Sequence, residues 1–208
     1  MSNVISNLVK SSLIASRQPS GGLLLAGNPN NPVDFLHKGV VLLFRQSVNS
    51  VVGLQLNRCL GEISLANIVN NMGLNFDLMG NSIYSKKVYF GGSVNTNRLH
   101  FVHSLDWMGL TTQVVGKNVG VTSDISILTA LVAGQGPKKY RACAGSWCWD
   151  LDTLKHQIYN LDPNYETQDH LWEVAPVAGN LVFDCEGTSQ WGRVLRQSGR
   201  FQINCWMN

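Results

Sequence analysis

The sequence predicts an α+β fold. Short strands rich in Val, Leu and Phe follow one another through tight turns, and helical stripes break in at irregular intervals. The regular strand–helix alternation of a doubly wound parallel sheet does not occur. Apolar residues make up 44% of the 208, enough for a real core. No linker, repeat or low-complexity block interrupts the chain. It therefore reads as one domain over residues 21–208, preceded by a helical extension over residues 1–20.

The elements follow in order. Residues 2–16 place Val4, Ile5, Leu8, Ser12 and Leu13 at helical spacing, a weak amphipathic stripe. Its polar face offers only Lys10 and Arg17, which suits a packed helix better than one lying on a membrane. Three apolar runs, 23–26, 39–44 and 51–56, read as antiparallel strands. Pro29 and Pro32 separate the first two, and a hairpin-length segment, 46–50, separates the second and third. Residues 62–72 carry Ile63, Ala66, Ile68, Val69 and Met72, a helical stripe that stops at Gly73. Residues 75–86 have no period and read as a loop. Short strands follow at 87–90, 99–103, 111–115 and 119–122. Thr122, Ser123 and Asp124 are N-cap residue types, and Ile125, Leu128, Leu131 and Val132 continue on one helical face to Gly134. Residues 140–144 read as a buried strand. Asp150 opens a helix with Leu151, Leu154 and Ile158 on one side. Residues 171–174 and 181–183 read as short extended pieces, and 189–197 as a closing helix.

Composition excludes several classes. Charged residues are 14% of the chain, against about a quarter in typical domains. Twenty Asn stand beside twenty Gly, and the net charge is +3. A disordered chain, a coiled coil and a strongly basic nucleic-acid binder would each look different. No apolar run approaches the roughly 20 residues of a membrane span. The N-terminus does not read as a signal peptide, because Lys10 falls inside the only candidate apolar region. The five cysteines (59, 143, 148, 185 and 205) form no Cys-x-x-Cys pair. An odd count without a secretory signal suggests reduced thiols and a cytoplasmic location. Cys143 and Cys148 are five apart with no cluster of histidines nearby, so neither structural zinc nor another cofactor is expected.

Several segments together carry a family likeness: GGLLLAGNPNNPVDFLHKGVVLLF, VVGLQLNR, KKVYFGGSV, LHFVH, VGVTSD, GQGP and AGSWCWDLDTL. Over roughly residues 21–186 the sequence resembles the AlgH/YqgE family of bacterial proteins. The family's function is largely undefined, and it is commonly labelled a transcriptional regulator. The resemblance implies a bifurcated, mostly antiparallel sheet curled into a pseudo-barrel with helices packed outside, and no recognised DNA-binding motif. Matching positions are Pro32, Phe35, Gly53, Asn57, Gly91, Gly92, His103, Thr122, Asp124, Gly136, Pro137 and Trp149. The chain also departs from the pattern. The acid before the proline is lost, with Asn31 preceding Pro32, Ser93 replaces a proline, and Cys148 stands where the family prefers glycine. The helix after Trp149 lacks two of the family's acids and a glutamine.

Asn57, Gly91, Gly92, His103, Asp124 and Trp149 form the candidate ligand or partner site, provided the fold gathers them. Gly91–Gly92 after a strand could bring backbone close to an anion. No P-loop lysine or helix start follows, so a turn is the plainer reading. His103 and Asp124 could orient an acid–base pair beside Cys143 or Cys148 as nucleophile. Asp124 equally reads as a helix cap, and Cys as a buried small residue. Asn57 ends a strand and suits a turn closure. Trp147, Trp149, Trp172 and Trp191 could form a stacking surface or simply fill core and rim. Arg193, Arg196 and Arg200 recur at i, i+3 and i+7, as a phosphate-contacting face or a solvated one, with Lys138, Lys139 and Arg141 elsewhere. No catalytic set is complete. The leading expectation is a non-enzymatic binding or regulatory protein acting through a protein partner. The alternatives are a nucleic-acid-binding transcriptional regulator and a small thiol-dependent enzyme.

Overall fold

The computed structural model describes residues 22–29, 31, 33–71, 73, 85–159 and 171–207, and the side chains of residues 62, 159 and 200–207 lie outside the description. The helix expected over residues 1–20, Pro32 and most of the loop expected over 75–86 fall outside the described residues.

Among the described residues ten strands form one sheet. They are β1 (Leu23–Gly27), β2 (Val40–Gln46), β3 (Ser50–Gln55), β4 (Cys59–Ser64), β5 (Lys87–Phe90), β6 (Val94–His103), β7 (Gln113–Gly116), β8 (Val119–Thr122), β9 (Tyr140–Asp150) and β10 (Trp172–Pro176). The helices are α1 (Leu65–Asn71), α2 (Ser126–Val132), α3 (Leu151–Tyr159), α4 (Gly179–Phe183) and α5 (Gly187–Met207). The main path runs β10-β1-β2-β3-β9-β6-β8-β7, with β4 on β5 and β5 on β9.

The sheet forks at β9. One edge of β9 pairs with β6. The other edge is shared: Trp147 to Asp150 pair antiparallel with β3, and Ala142 to Ala144 pair parallel with β5. This is the one parallel ladder among the named strands; every other pairing is antiparallel. Gly145, at φ +72°, bends β9 between its two partners.

The path then curls until its ends meet. Lys117 bridges Ala178, Gly22 donates its N–H to the Val115 carbonyl, and Gln113 Nε2 donates to the Phe44 carbonyl at 2.5 Å. This is the expected pseudo-barrel. Because both faces of the curled strands are covered, their side chains alternate between two apolar layers. Leu24, Ala26, Val40, Leu42, Phe44 and Val102 point into the barrel, where α4 and α5 close the core with Leu181, Val182 and Val194. Leu23, Leu25, Val41 and Leu43 point outward under α3, against Leu154 and Ile158. Leu99, Phe101, Ala142 and Ala144 do the same under α1 and α2.

Four local expectations change. Residues 59–64 are a strand, and the helix begins only at Leu65. Ser64 is its cap: Ser64 Oγ accepts the Asn67 N–H at 3.3 Å while Asn67 Oδ1 accepts the Ser64 N–H at 3.0 Å. Residues 181–183 belong to the short helix α4, since three apolar residues in a row carry no period that separates strand from helix. The strand expected over 140–144 runs on through the glycine–tryptophan segment to Asp150 as β9. Finally β6 starts at Val94, five residues earlier than its apolar part, because Val94–Arg98 is solvent-exposed and has no buried side to pattern.

Candidate functional site

The six residues singled out from the sequence are spread over the molecule. Asn57 Oδ1 accepts the Val40 N–H at 2.8 Å, and its Nδ2 donates to the carbonyls of Lys38 and Gly187 at 2.8 and 3.2 Å. It ties β2 to the start of α5. Gly91 and Gly92 lie at the fork. Gly91 N–H donates to the Ala144 carbonyl at 2.8 Å and its carbonyl accepts from Gln55 at 2.9 Å. A Cβ on Gly91 would strike the Gly145 carbonyl, and one on Gly92 the backbone of Ser146. His103 is fully buried, its Nδ1 2.9 Å from the Ser104 carbonyl and its ring edge-on to Trp107 at 5.2 Å. Burial lowers its pKa. Asp124 lies in the turn before α2, where its Oδ1 accepts the Ser126 N–H at 2.9 Å, and the N-cap position itself is Ile125. Trp149 stands 6.1 Å from both Trp147 and Trp172.

Asn57 and the glycines come near one another, because the Gln55 N–H and the Arg58 carbonyl on either side of Asn57 bond the Gly91 carbonyl and the Phe90 N–H at 2.9 and 2.8 Å. Phe90, next to Gly91, meets Trp147 at 6.0 Å, so a line of rings runs Phe35–Phe90–Trp147–Trp149–Trp172 over the outer layer. Trp191 is elsewhere, donating to the Gly27 carbonyl at 2.8 Å. No described hydrogen bond joins His103 to Asp124. The histidine opposite Cys143 across the β6–β9 ladder is His100, not His103. Cys143 lies in the barrel interior, where burial pushes its thiol up to about 12, and Cys148 is exposed. Arg193 and Arg196 are exposed on α5, whereas the side chain of Arg200 lies outside the described residues. Among the described residues, no three His, Cys, Asp or Glu side chains gather as a metal ion needs. No helix among them is long and apolar enough to cross a membrane.

One recess among the described residues lies where sequence reasoning did not look. A cleft of about 410 Å³ opens at the starts of β5 and β9, lined by Lys86, Lys87, Lys138, Lys139, Arg141 and Glu186 among others. The single parallel ladder builds it. Each strand is preceded or begun by a Lys-Lys doublet, and parallel pairing sets the two doublets side by side. Arg141 forms the floor. It is 4% exposed, and its guanidinium donates to the carbonyls of Leu56 and Cys185 at 2.6 and 2.5 Å and to Gln190 Oε1 at 3.0 Å. It lies over the Tyr89 ring at 4.9 Å. The Tyr89 hydroxyl donates to Glu186 at 2.8 Å, and Lys87 pairs with Glu186 at 3.2 Å. These partners hold the Glu186 carboxyl below its ordinary value. Burial, then the Glu186 hydrogen bond, push the Tyr89 phenol up. The doublets were visible in the sequence. What was missing was any sign that the two strands run parallel and adjacent.

The comparisons with known proteins bear on most of the chain. The AlgH-like family profile, DUF179, matches residues 24–201. The chain belongs to the AlgH-like family. A UPF0301 protein of Methylococcus capsulatus is 24% identical over 180 residues, covering 86% of this chain and 92% of that relative. A UPF0301 protein of Cereibacter sphaeroides is 27% identical over 181 residues, covering 86% and 91%. The solution structure of the AlgH protein from Pseudomonas aeruginosa superposes with a TM-score of 0.70 at 20% identity, covering 89% of this chain and 92% of that one. A Corynebacterium diphtheriae protein, DIP2367, gives 0.61 at 18% identity, covering 86% and 87%. At those identities the two structures establish the AlgH-like fold alone.

Proposed function

We propose that this AlgH-like chain is a non-enzymatic binding or regulatory protein that works in the cytoplasm through contact with a protein partner. The observation that supports this reading is the state of its Cys143–His100 neighbourhood. A thiol enzyme needs a thiolate made by proton transfer to an imidazole. Here the Cys143 thiol is pushed up to about 12 and the His100 imidazole pulled down to about 4, both by burial first. Moving the proton from that thiol to that imidazole is therefore strongly uphill. His103 and Asp124, the other candidate pair, are each engaged separately with neighbouring backbone.

The test is turnover. The purified full chain and its Cys143→Ser and His103→Asn variants are assayed against ester, thioester and phosphoester substrates. Equal background rates are expected. A rate that the chain supports and either variant loses would overturn the reading. A second reading, nucleic-acid contact, is favoured by the exposure of Arg193 and Arg196 one turn apart on α5. It requires a salt-dependent mobility shift that Arg193→Glu with Arg196→Glu abolishes.

A further inference from the structure

The positive charge of this chain is unevenly placed. Its net charge is only +3, yet five of its sixteen basic residues line the cleft at the starts of β5 and β9, against Glu186 as the one carboxylate in the lining. Two of the five have carboxylate partners: Lys87 pairs with Glu186 at 3.2 Å, and Lys139 with Asp184 at 2.6 Å. Among the described residues the other three make no ion pair. Lys86 lies over the Tyr140 ring at 5.9 Å. Lys138 gives its backbone N–H to Asp106 at 3.2 Å, and its charge helps to lower that carboxyl from beyond ion-pair distance. Neither ammonium is within ion-pair distance of a described carboxylate.

Arg141 is the decisive group. A buried guanidinium ordinarily lies against a carboxylate, because burying an unpaired charge is costly. The described hydrogen bonds of Arg141 go to two backbone carbonyls and one side-chain amide oxygen. Those acceptors fix its orientation without cancelling its charge. The nearby carboxylate, Glu186, is committed to Tyr89 and Lys87. The cleft therefore has a rigid cation at its floor, two cations without carboxylate partners at its sides, and two more whose partners are exposed.

We propose that this cleft binds a small diphosphate, free or carried by a nucleoside. Ammonium groups and a guanidinium fork are the side chains that recognise phosphoryl oxygens. One phosphate monoester brings about two charges at neutral pH, so three cations outside any described ion pair suit a diphosphate better than a single phosphate or a carboxylate. A recess of about 410 Å³ is the size of a small-molecule site rather than a groove for a polymer. This assignment rests on the binding reading above and names the ligand class for it.

Isothermal titration of the full chain at low salt tests the proposal, with pyrophosphate, ADP, orthophosphate, acetate and a single-stranded oligonucleotide as probes. Pyrophosphate and ADP are expected to bind with one-to-one stoichiometry, orthophosphate more weakly, and acetate not at all. Equal affinity for pyrophosphate and ADP assigns the diphosphate alone; tighter ADP assigns the nucleoside as well. Lys138→Ala should weaken binding roughly tenfold, the loss of one charge-assisted hydrogen bond. Glu186→Gln keeps an acceptor for Tyr89 but removes the lining's negative charge, so it should tighten binding, which a purely structural role would not do. Lys155→Ala, on α3 and outside the cleft, should change nothing. Absence of diphosphate binding, binding only of the oligonucleotide, or binding indifferent to Lys138 and Glu186 would each overturn the assignment and leave the non-enzymatic reading standing. Release of orthophosphate from bound pyrophosphate would do the reverse.

Discussion

His100 should make this protein less stable in mild acid, and the size of the effect can be worked out. The side chain is 4% exposed in the barrel interior, its ring 5.7 Å from that of Phe44. Nδ1 lies 2.8 Å from Ser123 Oγ, and Nε2 has no described partner. Burial, then the charges of Arg98 and Arg45, pull its pKa from 6.5 to about 4. Between those values the unfolded chain binds a proton on this imidazole and the folded chain does not. Stability therefore rises with pH across the window and is lost as pH falls through it. The full gap is worth about 3 kcal/mol, and moving from pH 7 to pH 5 forfeits roughly 2 kcal/mol of it. That is a sizeable part of the 5–15 kcal/mol typical of a whole domain. Urea unfolding midpoints measured at pH 7 and pH 5, on the chain and on His100→Phe, provide the assay. The variant fills the same apolar space and carries no titrating group, so its midpoint should move much less. His103, also held down by burial, leaves a residual slope of the same sign. A His100 resonance titrating near 6.5 in the folded protein, or an undiminished pH slope in His100→Phe, would refute the burial argument.

The fork at β9 gives a paired prediction. Gly145 and Gly61 both have strongly positive φ, +72° and +68°, but a Cβ on Gly145 meets the Gly92 carbonyl, whereas one on Gly61 meets open space. Gly61→Ala should cost about 1 kcal/mol from backbone conformation alone, and Gly145→Ala clearly more by urea titration. Equal costs would show that the fork is not crowded. Leu154→Ala removes a fully buried side chain between α3 and the outer layer of β1 and β2, and should cost about 2–5 kcal/mol. A loss below about 1 kcal/mol would mean that α3 does not cover the sheet. Thiol mapping with a maleimide should label Cys59 and Cys148 within the dead time, and Cys143 and Cys185 only on unfolding, because the first two are exposed and the last two buried. Rapid labelling of native Cys143 would contradict its place in the barrel.

What the sequence revealed follows burial closely. β1 and β2 announce themselves as unbroken apolar runs because both their faces are covered: Leu24 and Leu42 enter the barrel while Leu25 and Val41 lie under α3. Such runs usually mark buried parallel strands. Here they come from an antiparallel sheet whose outer face is roofed by helices. The strand segments that escaped detection are the ones without two apolar faces. β4 is mostly exposed, the first five residues of β6 are exposed, and the end of β9 alternates half-buried Trp147 and Trp149 with exposed Cys148 and Asp150. Their positions are set by register with neighbours, information a local window does not hold. The candidate residues were legible as unusual, but most of their side chains are taken up by the fold: Asn57 by three backbone groups, Gly91 and Gly92 by the fork, Asp124 by the start of α2.

The same reasoning explains why the cleft stayed hidden. In an antiparallel ladder, Lys86–Lys87 and Lys138–Lys139 would lie at opposite ends of the paired strands, and their charges would be diluted across the surface. Parallel pairing of β5 with β9 reverses that, and it is possible only because the chain makes β6, β7, β8 and α2 between the two strands. The long excursion returns the second doublet to the end where the first one lies. The alternation within β9 then sends Arg141 inward, to the level of the Tyr89 ring, while Ala142 goes out under α1 and α2. A low overall charge and a strongly basic site are thus compatible. Topology, rather than composition, concentrates the few cations this chain has.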